Sequence, residues 1–180
     1  DKVFSGNPAA VCPLDHWLSD DLMQRIANEN AVAETAFFVP CKDGFEIRWF
    51  TPEIEMDLCG HATLAAAHVI ARHLTQDLSS IQFQSKSEKL VVAVGENRLT
   101  LDFPARKPHP AEAPKVVLEA IQYDPSEVLK SRDYLLVFED EDIIRSLQPD
   151  RSILNQINLD PGGVIVTAQG KQVDFVSRFF

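Results

Sequence analysis

The chain has 180 residues, 45% of them apolar and 24% charged, with a formal net charge of −10. This is ordinary globular composition with enough apolar mass for a sizeable core, and it argues against disorder. The acidic balance argues against a nucleic-acid or anionic-membrane surface, which needs clustered Lys and Arg; it suits a cytoplasmic protein.

Three cysteines, Cys12, Cys41 and Cys59, stand without CxxC spacing. A disulfide framework is therefore not expected, and a reducing compartment is. No run approaches the ~18 continuous apolar residues of a membrane span. The chain opens on Asp1-Lys2-Val3 without a charged-then-apolar leader. It stops at Val176-Ser177-Arg178-Phe179-Phe180 inside an expected strand, and both ends read as cuts from a longer protein.

Residues 3–12 read as a short segment punctuated by the Gly6-Asn7-Pro8 turn and followed by Ala9-Ala10-Val11. Ser19-Asp20-Asp21 supplies a cap and an acidic first turn for a helix over about 20–29, with Leu22, Ile26 and Ala27 on one face. Glu34 to Val39 and Phe45 to Phe50 are expected strands joined by Lys42-Asp43-Gly44, and Thr51-Pro52 ends the second. From His61 to Ala71 the sequence is Ala-rich and apolar on nearly every side, which predicts a helix buried in the centre of a domain. Strands follow at about 80–85, 90–94 and 98–103, so an α+β domain is expected, with short strands wrapped around one helix.

Between 104 and 114 lie four prolines, and each lacks a donor and restricts its predecessor. This predicts an extended linker over 105–114 between a first domain, 1–104, and a second, 115–180, whose later part is missing. In the second domain helices are expected near 114–122, 140–147 and 150–157, and strands near 133–138, 163–168 and 172–179. The acidic run Glu139-Asp140-Glu141-Asp142 reads as a solvated helix start.

Three places could carry chemistry. In Cys59-Gly60-His61-Ala62-Thr63 a glycine precedes the buried helix, whose free first-turn N–H groups could bind a carboxylate or phosphate. His61 adds a donor that titrates near neutral pH. The plainer reading is a glycine turn capped with the help of Thr63. Glu34 begins an apolar strand: facing inward, its carboxylate would be desolvated toward the range a general base needs. Facing outward, it is a solvated edge residue, and the local sequence alone favours that. Cys59 could be a thiol base, since a helix N-terminus favours the thiolate, or simply a small core residue. His61 and His68, seven apart, could share a helix face, with His73 elsewhere, but no metal spacing such as HExxH occurs, and no metal site is expected.

Five blocks taken together resemble the PhzF-like phenazine-biosynthesis family: Val3 to Val11, Ala33 to Phe37, Arg48 to Pro52, Asp57 to Ala65 and Leu101 to Pro104. They occur in the family's order and spacing, and Val173 to Phe180 resembles a strand that precedes a further family loop absent from this chain. The resemblance implies the diaminopimelate-epimerase-like fold: α+β, two similar domains, each a mixed curled sheet around a central helix, with the second incomplete here and the active site between them. It also implies a cofactor-free isomerase or epimerase acting on a small anionic substrate; the family's characterised member isomerises trans-2,3-dihydro-3-hydroxyanthranilate. By position, Glu34 would move the proton, and Gly60 and His61 would contact substrate, with Cys59 and Asn7 as accessory candidates. Family members are often homodimers, and a homodimer is expected here.

Two departures bear on the substrate. Ala33 stands where the phenazine enzyme has Ser, and Cys59 stands beside the Gly-His pair where that enzyme has no Cys. Two alternatives stay open: a thiol-dependent epimerase using Cys59, as superfamily relatives use paired cysteines, and a non-catalytic binding or interaction protein of the same fold.

Overall fold

A computed structural model describes residues 6–75, 77–157, 159 and 162–180. The chain divides into two compact units, residues 1–104 and 105–180. The start of the expected first segment, Val3-Phe4-Ser5, lies outside the described residues.

In the first unit, Gly6 turns the chain with φ 90° into strand β1, Ala9–Pro13. Helix α1, Asp20–Asn30, starts where the Ser19 hydroxyl accepts from the Leu22 amide, with Asp20 and Asp21 against the helix dipole. Its buried face is Met23 and Ala27; Leu22, expected on that face, is exposed. Strands β2, Glu34–Cys41, and β3, Gly44–Phe50, form a hairpin whose turn is Lys42-Asp43. Gly44 enters β3 at φ 132°, and a Cβ there would collide with the Gln82 carbonyl, so only glycine fits. The two-residue β4, Glu55–Met56, pairs with β3. Helix α2, Gly60–Val69, follows, and then β5, Ser80–Gln84, β6, Lys89–Val94, and β7, Leu99–Asp102.

The sheet runs β1-β2-β3-β5-β6-β7, with β1–β2 and β3–β5 parallel and the remaining pairs antiparallel. Helix α2 touches β1 and β2 at one end of this order and β7 at the other, so the sheet curls around it. Small residues make this possible. Ala62, Ala66 and Ala67 are fully buried and let the backbone approach a core of Ala36, Phe38, Ile47, Trp49, Phe83 and Val92. Helix α1 lies over the outer face on Phe37 and Phe50, so β2 is buried on both faces. Residue parity then settles direction: Phe37 points to α1, while Ala36 and Phe38 point to α2. Glu34 shares parity with Ala36 and Phe38 and faces α2. Burying a side chain the size of Phe38 stabilises by ~1.5–3 kcal/mol, so a one-residue slip that would turn Glu34 outward is strongly disfavoured.

Past Val69, α2 ends in a π-helical turn, Ile70–Leu74, closed by the Thr75 amide on the Ile70 carbonyl at 2.8 Å. The wider turn brings the His68 and His73 rings to 6.1 Å. His68 therefore neighbours His73, which the sequence reading placed elsewhere.

The second unit holds a five-stranded mixed sheet ordered β12-β11-β10-β9-β8. Its strands are β8, His109–Pro110, β9, Glu127–Lys130, β10, Tyr134–Phe138, β11, Val164–Gln169, and β12, Phe175–Phe179. Only β10–β11 is parallel. The proline-rich segment thus lends an edge strand to this sheet, where Pro110 is tolerated at the margin. Helices α3, Lys115–Ile121, and α4, Glu141–Ser146, bury Val117, Ile121 and Ile144 against Leu136, Val164 and Val166. The short α5, Arg151–Leu154, packs beside α3. The acidic run does start a helix: the Asp140 carboxylate accepts from the Asp142 amide at the head of α4.

Candidate active site

Glu34 opens β2, paired with Ala9 of β1, and its side chain reaches the first turn of α2. There its Oε2 lies 3.1 Å from Nε2 of His61, with the Glu34 side chain 17% and the His61 side chain 29% exposed. Both atoms are hidden from water, yet their contact is not aligned as a hydrogen bond. The pair is close enough to act together, and each atom keeps capacity for a third group.

On the other edge of the imidazole, Nδ1 stands 3.6 Å from Sγ of Cys59. Cys59 is the cap residue of α2, but its side chain closes no capping hydrogen bond. Its carbonyl accepts from both the Thr63 amide, at 3.3 Å, and the Thr63 hydroxyl, at 2.5 Å. Thr63 therefore fastens the turn, as one reading of the pentapeptide expects. The first-turn amides of Gly60, His61 and Ala62 have no partner within the helix, as geometry requires, and they carry the positive end of its dipole.

Burial pushes the Cys59 thiol up to about 12, with the Glu34 carboxylate adding to the rise and the Ala62 amide opposing it. The helix start was expected to favour the thiolate. Desolvation wins because Cys59 is 6% exposed and packed among Leu58, Ala62 and the rest of the α2 core. At neutral pH the sulfur keeps its proton.

Gly60 has room for a side chain: a Cβ would meet Phe103 at 3.6 Å and Leu101 at 4.0 Å, which are ordinary contacts. Packing does not demand glycine there. Asn7, two residues before the partner of Glu34, is exposed and takes no part in the Glu34-Cys59-His61 cluster. The three cluster residues each offer a ligand atom, all within 4.8 Å, a spacing a metal ion could use. Cys59 and Glu34 each approach a different nitrogen of the one ring. An open groove of about 370 Å³ beside Cys41, Phe45 and Gln82 involves none of the cluster.

Sequence reading overlooked the clasp behind this site. Arg48 of β3 donates to both carboxylate oxygens of Glu55 at 2.7 Å and to Asp20 of α1 at 2.8 Å, with its guanidinium over the Trp17 and Phe50 rings. Lys86 also reaches Glu55, at 2.6 Å, and the Ser87 hydroxyl donates to the Asp57 carbonyl. These contacts fix the segment that leads into Cys59. The Arg48 guanidinium holds the Glu55 carboxyl below its usual range.

The profile of the family described as phenazine biosynthesis-like protein matches residues 1–180. The chain belongs to that family. Among curated relatives, it is 47% identical over 180 residues to an uncharacterized isomerase of Pseudomonas aeruginosa, covering 100% of this chain and 69% of the relative. It is 40% identical to an uncharacterized isomerase of Halalkalibacterium halodurans, covering 99% and 69%. A PhzF-family crystal structure from Enterococcus faecalis superposes with a TM-score of 0.88 at 43% identity, covering 100% of this chain and 69% of that one. A protein described as a predicted epimerase from Pseudomonas aeruginosa shares the fold alone, at TM-score 0.66 and 20% identity over 92% and 66% of the two chains. The fold is thus the diaminopimelate-epimerase-like one that the five blocks implied. Among the described residues, no helix is long and apolar enough to cross a membrane.

Proposed function

We propose that this PhzF-like chain supplies one wall of a cofactor-independent isomerase or epimerase site, in which Glu34 moves a proton on a small carboxylate-bearing substrate. The observation that carries this reading is the Glu34–His61 pair, 3.1 Å apart and shielded from water, at the open N-terminus of a helix. Isomerase is also the activity in the names of two curated relatives from Pseudomonas aeruginosa.

In the proposed step, the Glu34 carboxylate takes a proton from an activated carbon of the substrate. The electron pair left behind is delocalised into the adjacent π system, and His61 Nε2–H supports the charge that develops there. The free amides of Gly60 and His61 hold the substrate carboxylate. Glu34 then returns the proton to another carbon, or to the other face of the same one.

The buried, protonated Cys59 weighs against the thiol-base alternative, because a thiol raised from 9 to about 12 costs ~4 kcal/mol more to ionise than an ordinary one. The test uses the full-length protein incubated in D₂O with small unsaturated or α-substituted carboxylates, followed by NMR. Glu34→Gln should abolish deuterium incorporation into any compound the wild type turns over. Undiminished incorporation in that variant removes Glu34 from the role. Ligand binding with no incorporation by the wild type selects the non-catalytic alternative.

A further inference from the structure

We infer that Cys59 is a positioning residue: its thiol proton holds the His61 ring in the form that carries the ring proton on Nε2, facing Glu34. This rests on the reading of Glu34 and His61 given above.

A neutral imidazole has one N–H and one bare nitrogen, and the groups at its two edges decide which is which. With the proton on Nδ1, the bare Nε2 would point its lone pair at a carboxylate oxygen 3.1 Å away. The N–H would then be offered to sulfur, a weak acceptor. Both ends are unfavourable. With the proton on Nε2, the positive N–H end stands beside the carboxylate oxygen 3.1 Å away, close enough to favour it by charge without an aligned hydrogen bond, and Nδ1 accepts the Cys59 S–H across 3.6 Å, within reach for sulfur. Both ends are favourable, and each reinforces the other.

The thiol suits this task because it does not move and does not ionise. Its backbone is pinned by Thr63 through two bonds to the Cys59 carbonyl. Its side chain sits in the α2 core, where burial keeps the proton on sulfur. A thiolate there would turn the preference around, drawing the ring proton to Nδ1 and leaving Nε2 bare before Glu34. The protonated state of Cys59 and the donor state of His61 are therefore one arrangement, seen from two atoms. Cys59 is the cap and His61 the second residue of α2, so a single helix start sets both.

The test reads the ring directly. Full-length protein carrying ¹⁵N-labelled imidazole is examined by long-range ¹H–¹⁵N correlation near neutral pH, as wild type, Cys59→Ala and Cys59→Ser. The wild type should show His61 protonated on Nε2. Cys59→Ser keeps a donor and should retain that form, whereas Cys59→Ala should lower the Nε2–H to Nδ1–H ratio several-fold. For a substrate found by deuterium exchange, Cys59→Ala should lower kcat about tenfold with KM nearly unchanged, and Cys59→Ser should recover most of it; a wrong tautomer alone can cost far more in a His-dependent site.

A wild-type ring protonated on Nδ1 overturns the inference, as does a Cys59→Ala ring identical to the wild type. If Cys59→Ala does not fold, the wild-type and Cys59→Ser spectra still decide. A Cys59→Ser variant with the correct ring form but no turnover also overturns it, because the thiol would then be acting on substrate itself. The expected ring behaviour without any Glu34-dependent exchange leaves the positioning intact and removes only the catalytic reading.

Discussion

Glu55→Gln offers a test of how the loop before Cys59 is held. In the native structure Glu55 takes two 2.7 Å bonds from Arg48 and one of 2.6 Å from Lys86. The Arg48 and Glu55 side chains are only 12% and 22% exposed, so water screens this pair less than a surface one. Hydrogen bonds to charged groups contribute ~1.5–3 kcal/mol, and exposed ion pairs under ~1. Glu55→Gln keeps one acceptor and leaves Arg48 its bond to Asp20, so the expected loss is about 1–2 kcal/mol at pH 7. The sign with pH follows from the lowered carboxyl: the folded protein binds its proton at lower pH than the unfolded chain does. The contribution of Glu55 is therefore fully present above its ordinary value of 4.5 and is lost as pH falls through the lower folded value. Urea unfolding of wild type and variant, at pH 7 and near pH 3, measures both. Equal stability at pH 7 would show that the clasp contributes nothing, and an undiminished gap at pH 3 would show that its effect is not the carboxylate's charge.

Two further outcomes are expected. Native protein treated with a thiol reagent near pH 8 should label exposed Cys41 first and Cys12, half-buried and raised by burial, more slowly. Cys59 should label only on unfolding, and labelling it as fast as Cys41 would contradict its burial; mass spectrometry of digests reads the order. Gly44→Ala and Gly60→Ala should behave oppositely in urea unfolding: the first forces a Cβ onto the Gln82 carbonyl at φ 132° and should cost about 1–3 kcal/mol or more. The second, at a helical position with open space, should change stability by less than ~1 kcal/mol. A large loss at Gly60 would refute the packing described there.

Much of this fold is legible in the sequence because single physical signals dominate locally. The alanines of α2 read as a buried helix, and Asp140 with its acidic neighbours reads as a helix start. Glu34 is harder. Its direction follows from parity only once it is known which residues face α2, and β2 is apolar on both faces, so alternation carries no sign. The same double burial conceals Met23: Leu22 is equally apolar, and only the placement of α1 over Phe37 and Phe50 chooses between them. The His68–His73 pair is invisible to a 3.6-residue period because a π-helical turn intervenes. Strand β9, Glu-Val-Leu-Lys, is too short and too polar to announce itself. Cys59 shows two rules in competition, the helix dipole against desolvation, and the sequence names both without weighing them.

The way the sheet curls has a consequence for cooperativity. Helix α2, which carries His61 and Cys59, is gripped by β1 from the start of the first unit and by β7 from its end. Strand β1 also fixes the residue that bears Glu34, through the Ala9–Glu34 pairing. Peeling either margin of the sheet strips cover from the helix, so the Glu34–His61–Cys59 cluster has no free-standing fragment to survive in. Exchange of the Thr63 amide, bonded to the Cys59 carbonyl in the first turn of α2, should then track the opening of the entire unit and not a local fraying, which makes its protection a gauge of whether both ends of that unit are closed.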